Sequence, residues 1–327
     1  VPATTKVIDS DGSDHLKESP TPRYFGREKS RTRSDKAFSG SVVVAALSSL
    51  FILLAILFYL ATSSWPALQK EGFSFITGST WIGGLSDPSQ QVFQIWPMLY
   101  GSFLNALLAI IFAVPISVLL AIFIVVVDVL AAIPSGIIGI WGFLVFTPVA
   151  EGWARLIHQY LGSIPIFVNN QDQFTRSPFI TAWVLGIMIV PIITVVAREV
   201  LAQTPQDLLD AARGLGGSLW GTVRMVALPH ARGGIVGGVM LGLGRALGET
   251  VAIYFVLNLI FERVNYYRIL DPEGGSVASM IIAKFGEATP EEIQALLGAG
   301  LVLFILTLIV NLIANWIVAR SARERLV

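Results

Sequence analysis

The sequence predicts an all-α integral membrane protein with six transmembrane helices, on three observations. Of its 327 residues, 54% are hydrophobic and only 13% charged, against about 25% charged in an average soluble domain. The apolar residues are clustered. No charge falls within Ala37–Gln69, Pro88–Val127, Val129–Ala150, Ser177–Ala197 or Ile293–Ala319, and runs of about 18 such residues can span a bilayer. The basic residues collect beside these runs, as they do on the cytoplasmic side of membrane proteins. This composition excludes an ordinary soluble enzyme, a nucleic-acid binder and a disordered chain. The 22 basic and 22 acidic residues cancel, so bulk charge indicates no partner.

Residues 1–37 are rich in Ser, Thr, Pro, Asp and Lys and are expected to form a disordered cytoplasmic tail. Their start is polar and mixed in charge, so no secretory signal peptide is expected there. Arg23, Arg27, Lys29, Arg31, Arg33 and Lys36 mark the cytoplasmic side of the first span. Residues 38–319 form the six-span domain. The first span is expected over about Val42–Ala61, followed by a short interfacial helix and loops to Gln90 on the outer face. From Pro88 to Ala150 the only charge is Asp128. As one straight helix that stretch would be roughly 90 Å long, about three times the hydrocarbon core. Two spans are therefore expected, Tyr100–Ile124 and Val129–Phe146. Nothing between Phe123 and Val127 resembles a turn, and lipid-exposed irregular backbone is not viable in a bilayer. The expectation is a short charged loop missing from the chain near Ile124–Val125, with a break there.

Residues 149–177 are mixed, with an amphipathic piece at Trp153–Leu161. The fourth span is expected at Phe179–Val196. The polar segment 198–232 has an excess of arginine and is expected in the cytoplasm. The fifth span is expected over about Gly233–Leu257. An acidic loop follows, with Glu262, Asp271, Glu273, Glu287, Glu291 and Glu292. The sixth span is expected at Ile293–Ala319, and residues 320–327 form a basic cytoplasmic tail. Six spans place both termini on one side, in agreement with the basic residues at both ends.

The chemistry is sparse. There is no cysteine, and His15, His158 and His230 have no neighbours at metal-ligand spacing. No phosphate-cradling G-x-x-x-x-G-K-[ST] loop is present, so neither metal nor ATP is expected on this chain, and no catalysis. Two segments stand out. Asp210-Ala211-Ala212-Arg213-Gly214-Leu215-Gly216 is followed, nine residues on, by Val226-Ala227-Leu228-Pro229. Pro205 can open a short helix, Ala211 and Ala212 give it a thin face, and Gly216 can end it in the left-handed conformation. Such a helix fits a groove on another protein, or is a plain connector between spans. The second segment is Gly242-Leu-Gly-Arg245-Ala-Leu-Gly248-Glu249-Thr250. An arginine at mid-span costs about 2.5–3.5 kcal/mol and belongs in a bundle interior or wet cavity. Arg245 and Glu249 share one face of a continuous helix. Either Arg245 attracts an anion, with Glu249 orienting it, or the two form a structural ion pair. Guanidinium suits an oxyanion because its fork of donors matches two oxygens.

The first segment resembles the E-A-A-x3-G-x9-I-x-L-P motif of bacterial ABC importer permeases, with Asp210 for Glu and Val226 for Ile. The second resembles the G-R-A-x-G-E-T of phosphate-type permeases, and Ala131–Ser135 with Ile140–Gly142 is similar to their third-span signature. The chain is thus identified as a member of the binding-protein-dependent transport permease family, of the phosphate-specific ABC importer type, over about Val42–Val318. Family members carry a short basic loop where this chain has Ile124-Val125. The resemblance implies an ABC importer permease fold with a cytoplasmic coupling helix. It also implies a bacterial plasma membrane location and half of a translocation path for inorganic phosphate. Implied partners are a second homologous permease (PstA-like), two ATPase subunits (PstB-like) carrying ATP and Mg, and an extracytoplasmic phosphate-binding protein (PstS-like). The substrate-path residues are then Arg245, Glu249 and Thr250. The ATPase-coupling residues are Pro205, Asp210, Ala211, Ala212, Gly216, Leu228 and Pro229. Alternatives are a permease for another oxyanion, or a secondary transporter or channel coupled through Arg245 and Glu249. Glycines at 234, 238, 242, 244 and 248 are expected to pack against a partner permease or a neighbouring span. Pro115, Pro134 and Pro191 are expected to kink their spans.

Overall fold

The computed structural model describes residues 33–85, 87–123 and 133–323. Among these, six helices are long and apolar enough to cross a membrane, as the sequence predicts. The chain divides after Ala55 into two units. In the first, residues 33–55 are the start of helix α1 (Arg33–Glu71). It is apolar on all sides, with Val44 and Phe51 exposed, as in a membrane span. Helix thus begins at Arg33, before the expected end of the tail. Residues 1–32, Asp128 and the expected missing loop near Ile124–Val125 lie outside the described residues.

The second unit holds the rest. α1 runs through Pro66 to Glu71, past the expected end at Ala61. Then come α2 (Ser74–Thr77) and an antiparallel ladder of β1 (Trp81–Ile82) with β2 (Val92–Phe93), Trp81 opposite Phe93. These build a small core of Phe75, Trp81, Phe93, Ile95, Met98, Met280 and Leu296. α3 (Trp96–Phe123) packs along α6 (Pro178–Ala202). Pro115 and Pro191 lie inside these two helices, whereas Pro134 is the N-terminal cap of α4 (Ser135–Trp141) rather than a residue within it.

The third span departs from expectation at its far end. α4 passes through a π-helical turn, Gly142–Phe146, directly into α5 (Thr147–Leu161). The amphipathic piece at Trp153–Leu161 is therefore the end of the span, not a separate element. The physical reason is Pro148, whose ring cannot fit the regular i−4 carbonyl pattern. The wider turn accommodates it, and the Thr147 N–H and hydroxyl both reach the Gly142 carbonyl.

After α6, the polar segment forms α7 (Gln206–Gly214), α8 (Leu219–Thr222) and a second π turn, Val223–Ala227. Again a proline follows, Pro229, in the first turn of α9 (Leu228–Leu247). The expected fifth span is not continuous. α9 stops at Leu247, and α10 (Val251–Val256) starts afresh after Gly248-Glu249-Thr250. A long loop leads to α11 (Val277–Lys284), and α12 (Pro290–Arg323) closes the chain, running past the expected end at Ala319.

α6 lies at the centre of the main core, with Ile180, Leu185, Ile189 and Ile193 all nearly inaccessible. Where the surroundings are lipid, burying such side chains gives no transfer gain, and close packing of small residues holds helices together. That is what the glycines at 234, 238 and 242 do. A Cβ on Gly234 would collide with Val200, one on Gly238 would come 3.0 Å from Val196, and one on Gly242 3.0 Å from Ile193. This stripe therefore packs on the neighbouring span α6. Gly244 instead faces Asn311 of α12, 3.6 Å from where a Cβ would stand.

Candidate functional site

The interruption of the fifth span creates the site. Gly248 closes α9, its N–H donating to the Gly244 carbonyl. Thr250 then begins α10 as its N-terminal cap residue, with its carbonyl accepting from the Tyr254 N–H at 3.1 Å. The Thr250 hydroxyl donates to the Gly248 carbonyl at 3.2 Å. Between them Glu249 is buried, 7% exposed. Its Oε1 accepts the Ala252 N–H at 3.2 Å. It thus occupies one of the free amides that open α10, where a carboxylate is favoured.

Arg245 does the opposite. It stands exposed on α9, and among the described residues its guanidinium has no ion pair or hydrogen bond. The continuous helix face that would pair it with Glu249 is absent, because the helix breaks at Gly248. The structure keeps the two residues near in sequence but gives them different jobs. The carboxylate is consumed by backbone, and the guanidinium is left open with its donors unspent. Leu241, one turn before Arg245, is 60% exposed, and a Cβ on Gly237 would meet nothing within 4 Å. This side of α9 is open along its length in the isolated chain.

The second predicted region is the coupling segment. Pro205 sits at the N-cap of α7, just ahead of the first turn, and Thr204 beneath it is buried. Asp210 pairs with Arg213 at 3.3 Å on the exposed side. Gly216 adopts φ +86°, the left-handed conformation expected of it. No residue of α7 is buried. Leu208, Leu215, Leu219, Trp220 and Met225 are all exposed, Leu215 at 91%. Leu208 and Leu215, on and just after a helix with no buried residue, are available to a partner. Ala211 and Ala212 lie on α7, and Leu228 and Pro229 open α9, so the motif's two halves bracket this surface.

The acidic loop proves to be internally tied. Glu273 accepts from both Arg263 and Gln171, Asp271 accepts the Asn170 N–H at 3.0 Å with Arg268 3.8 Å away, and these groups line a cavity of about 400 Å³. Glu292 accepts the Trp81 indole N–H at 2.8 Å and lies 3.7 Å from Lys284. Sequence reasoning also missed Ser102, Asn105 and Ser279, polar groups buried around α11. Their only signal is a polar side chain within an apolar run, as at Val277-Ala-Ser279-Met-Ile281.

Six membrane-long helices, a guanidinium unpaired among the described residues beside an interrupted helix, and the exposed apolar side chains around α7 fit a polytopic membrane transport subunit. The sequence profile of the "binding-protein-dependent transport system inner membrane component" family matches residues 24–325, and the chain belongs to that family. Among curated relatives, the phosphate transport system permease protein PstC of Haemophilus influenzae is 35% identical, covering 93% of this chain and 98% of that one. The protein of the same name from Pasteurella multocida is 34% identical over 85% of this chain and 90% of its own. PstC 2 of Mycobacterium tuberculosis is 34% identical over 86% and 91%.

Proposed function

We propose that this chain is the transmembrane subunit of an ATP-driven importer of inorganic phosphate and forms half of its translocation path. The relatives' names supply the solute, and the observation that carries the mechanism is the unpaired Arg245 guanidinium beside the break in the fifth span. The second half of the path is a homologous PstA-like permease against the open side of α9. Two PstB-like ATPases hold ATP and Mg and seat on the α7 surface, so this subunit does no chemistry itself. A PstS-like binding protein delivers phosphate to the opposite, outer face, in a bacterial plasma membrane with both termini cytoplasmic. ATP binding biases the bundle between two arrangements by contacting them differently. Arg245 lowers the barrier for the anion, and its planar fork matches two phosphate oxygens.

The test is uptake of radiolabelled phosphate per assembled four-component complex. Arg245→Ala should reduce it by at least about a hundredfold with assembly intact, in line with the roughly 3 kcal/mol of a lost charge-assisted contact. Arg245→Lys should recover part of it. Normal uptake by Arg245→Ala would remove Arg245 from the path. Uptake of sulfate in preference to phosphate by the intact complex would reassign the solute to another oxyanion.

A further inference from the structure

The break at residues 248–250 is not held by its own span alone. The Ser279 hydroxyl, fully buried on α11, donates to the Thr250 carbonyl at 2.8 Å. That carbonyl already accepts the Tyr254 N–H, so Ser279 fills its second lone pair. The loop entering α11 and its first residue are in turn fixed to α3. The Val277 N–H donates to Ser102 Oγ at 2.9 Å, and Asn105 Nδ2 donates to the Gly275 carbonyl at 3.1 Å. Gly101 and Gly275 press together so closely that a Cβ on either would enter the other segment's backbone. At the far end of α11, Lys284 reaches Glu292 in the first turn of α12.

α11 is thus a strut with both ends anchored, and among the described residues Ser279 ties it to the interrupted span by a hydrogen bond. From this geometry we infer that Ser279 is a positioning residue for translocation. It fixes the Thr250 carbonyl, and through it the break that follows Arg245, so that movement of α3 and α12 is passed to the site. It touches no solute and acts through Thr250. The inference rests on the importer reading, and deepens it by naming the residue that links the site to the rest of the bundle.

The experiment uses the complete complex in liposomes, with phosphate uptake, ATP hydrolysis and assembled complex measured together. Ser279→Ala leaves the Thr250 carbonyl bonded to Tyr254 but frees the break from the strut. The maximal uptake rate per complex should fall roughly three- to tenfold, the range of one net hydrogen bond, while more ATP is consumed per phosphate imported. Ser279→Cys keeps the volume with a weaker donor and should fall between Ala and wild type. Ser276→Ala removes the cap of the same helix, whose Oγ accepts the Ser279 N–H at 3.3 Å, without touching the break. It should lower the amount of complex but not the uptake or coupling of each complex. Wild-type uptake and coupling in Ser279→Ala would overturn the inference. So would an equal loss per complex in Ser276→Ala, which would reduce Ser279 to a helix-stabilising role. If the wild-type complex itself imports no phosphate, the importer reading fails, and that result is distinct from either.

Discussion

α6 and α9 lie side by side and are both long enough to span a membrane, yet they are built for different surroundings. Of the most apolar window of α6, 67% is buried within the chain, whereas for the helix that runs from Leu219 to the end of α9 at Leu247 the figure is 22%. α6 satisfies itself with Ile and Leu on nearly every side. α9 packs its glycines on α6 and also touches α12 and α3, yet leaves Leu241 and Arg245 exposed. The difference teaches that one span is the scaffold of this subunit, while its neighbour keeps one side exposed.

The two sides of α9 can be set against each other directly. Gly234→Leu should be the most damaging change, because its Cβ already conflicts with Val200 and overpacking costs about 1–3 kcal/mol or more. The expected result is loss of the folded subunit in detergent, read by size-exclusion recovery. Gly237→Leu meets open space in this chain and should leave subunit stability within about 0.5 kcal/mol. Its effect should appear only in assembly with the partner permease or in uptake. Equal behaviour of the two variants would dissolve the distinction.

Next in size is Gly216→Val. A side chain at φ +86° costs about 1–2 kcal/mol, and it would tilt the exposed α7 surface. Subunit insertion should survive while stimulation of ATP hydrolysis is lost. Glu249→Ala is expected to be milder for the fold, costing about 1 kcal/mol through an uncapped Ala252 amide. Combined with Arg245→Ala it should give no rescue. With no ion pair between the two residues, their effects on complex stability should add within about 0.5 kcal/mol. A larger coupling would restore the ion pair.

The smallest effect concerns Asp87, in the connection before β2. Its carboxylate accepts from the hydroxyl and N–H of Ser89 and from Gln90, which lower its pKa below the ordinary value of 3.8. Because the folded value is depressed, the contribution is present above 3.8 and fades as pH falls through the lowered value. The group is fully exposed, so acid titration followed by NMR should show the 87–90 turn loosening alone, with no change in the global unfolding midpoint.

Much of this was legible because hydropathy is additive along a chain. Five charge-free runs and one apolar run interrupted by Arg245 and Glu249 marked six spans, and Gly216 announced its own left-handed turn. The interruption at 248–250 was hidden for the same reason. Gly-Glu-Thr is too short to lower an apolar window, and i,i+4 spacing assumes the continuous helix that the break removes. Glu249 consequently read as Arg245's partner, when a backbone amide had the prior claim. The end of the third span was misplaced because Glu151 and Arg155 suggested a surface piece. They form an i,i+4 pair at 2.7 Å, which lets charged residues extend a span beyond its apolar run. Ser279 was invisible because its meaning lies in a carbonyl 29 residues away.

The π turn at Gly142–Phe146 has a consequence for rotational phase. α4 must present Gly139 to α10, where a Cβ would strike Ala252, while α5 must bury Ala150 and Ala154. One residue advances a helix by about 100°, so the extra residue of a π turn resets the angle between the two halves. Deleting Val145 would restore an ordinary helix and keep the composition of both faces. It would also turn α4 about a quarter-circle away from α10, so that its small residues would meet the wrong neighbour. The turn is therefore a phase adjuster, allowing one uninterrupted span to satisfy two differently oriented partners.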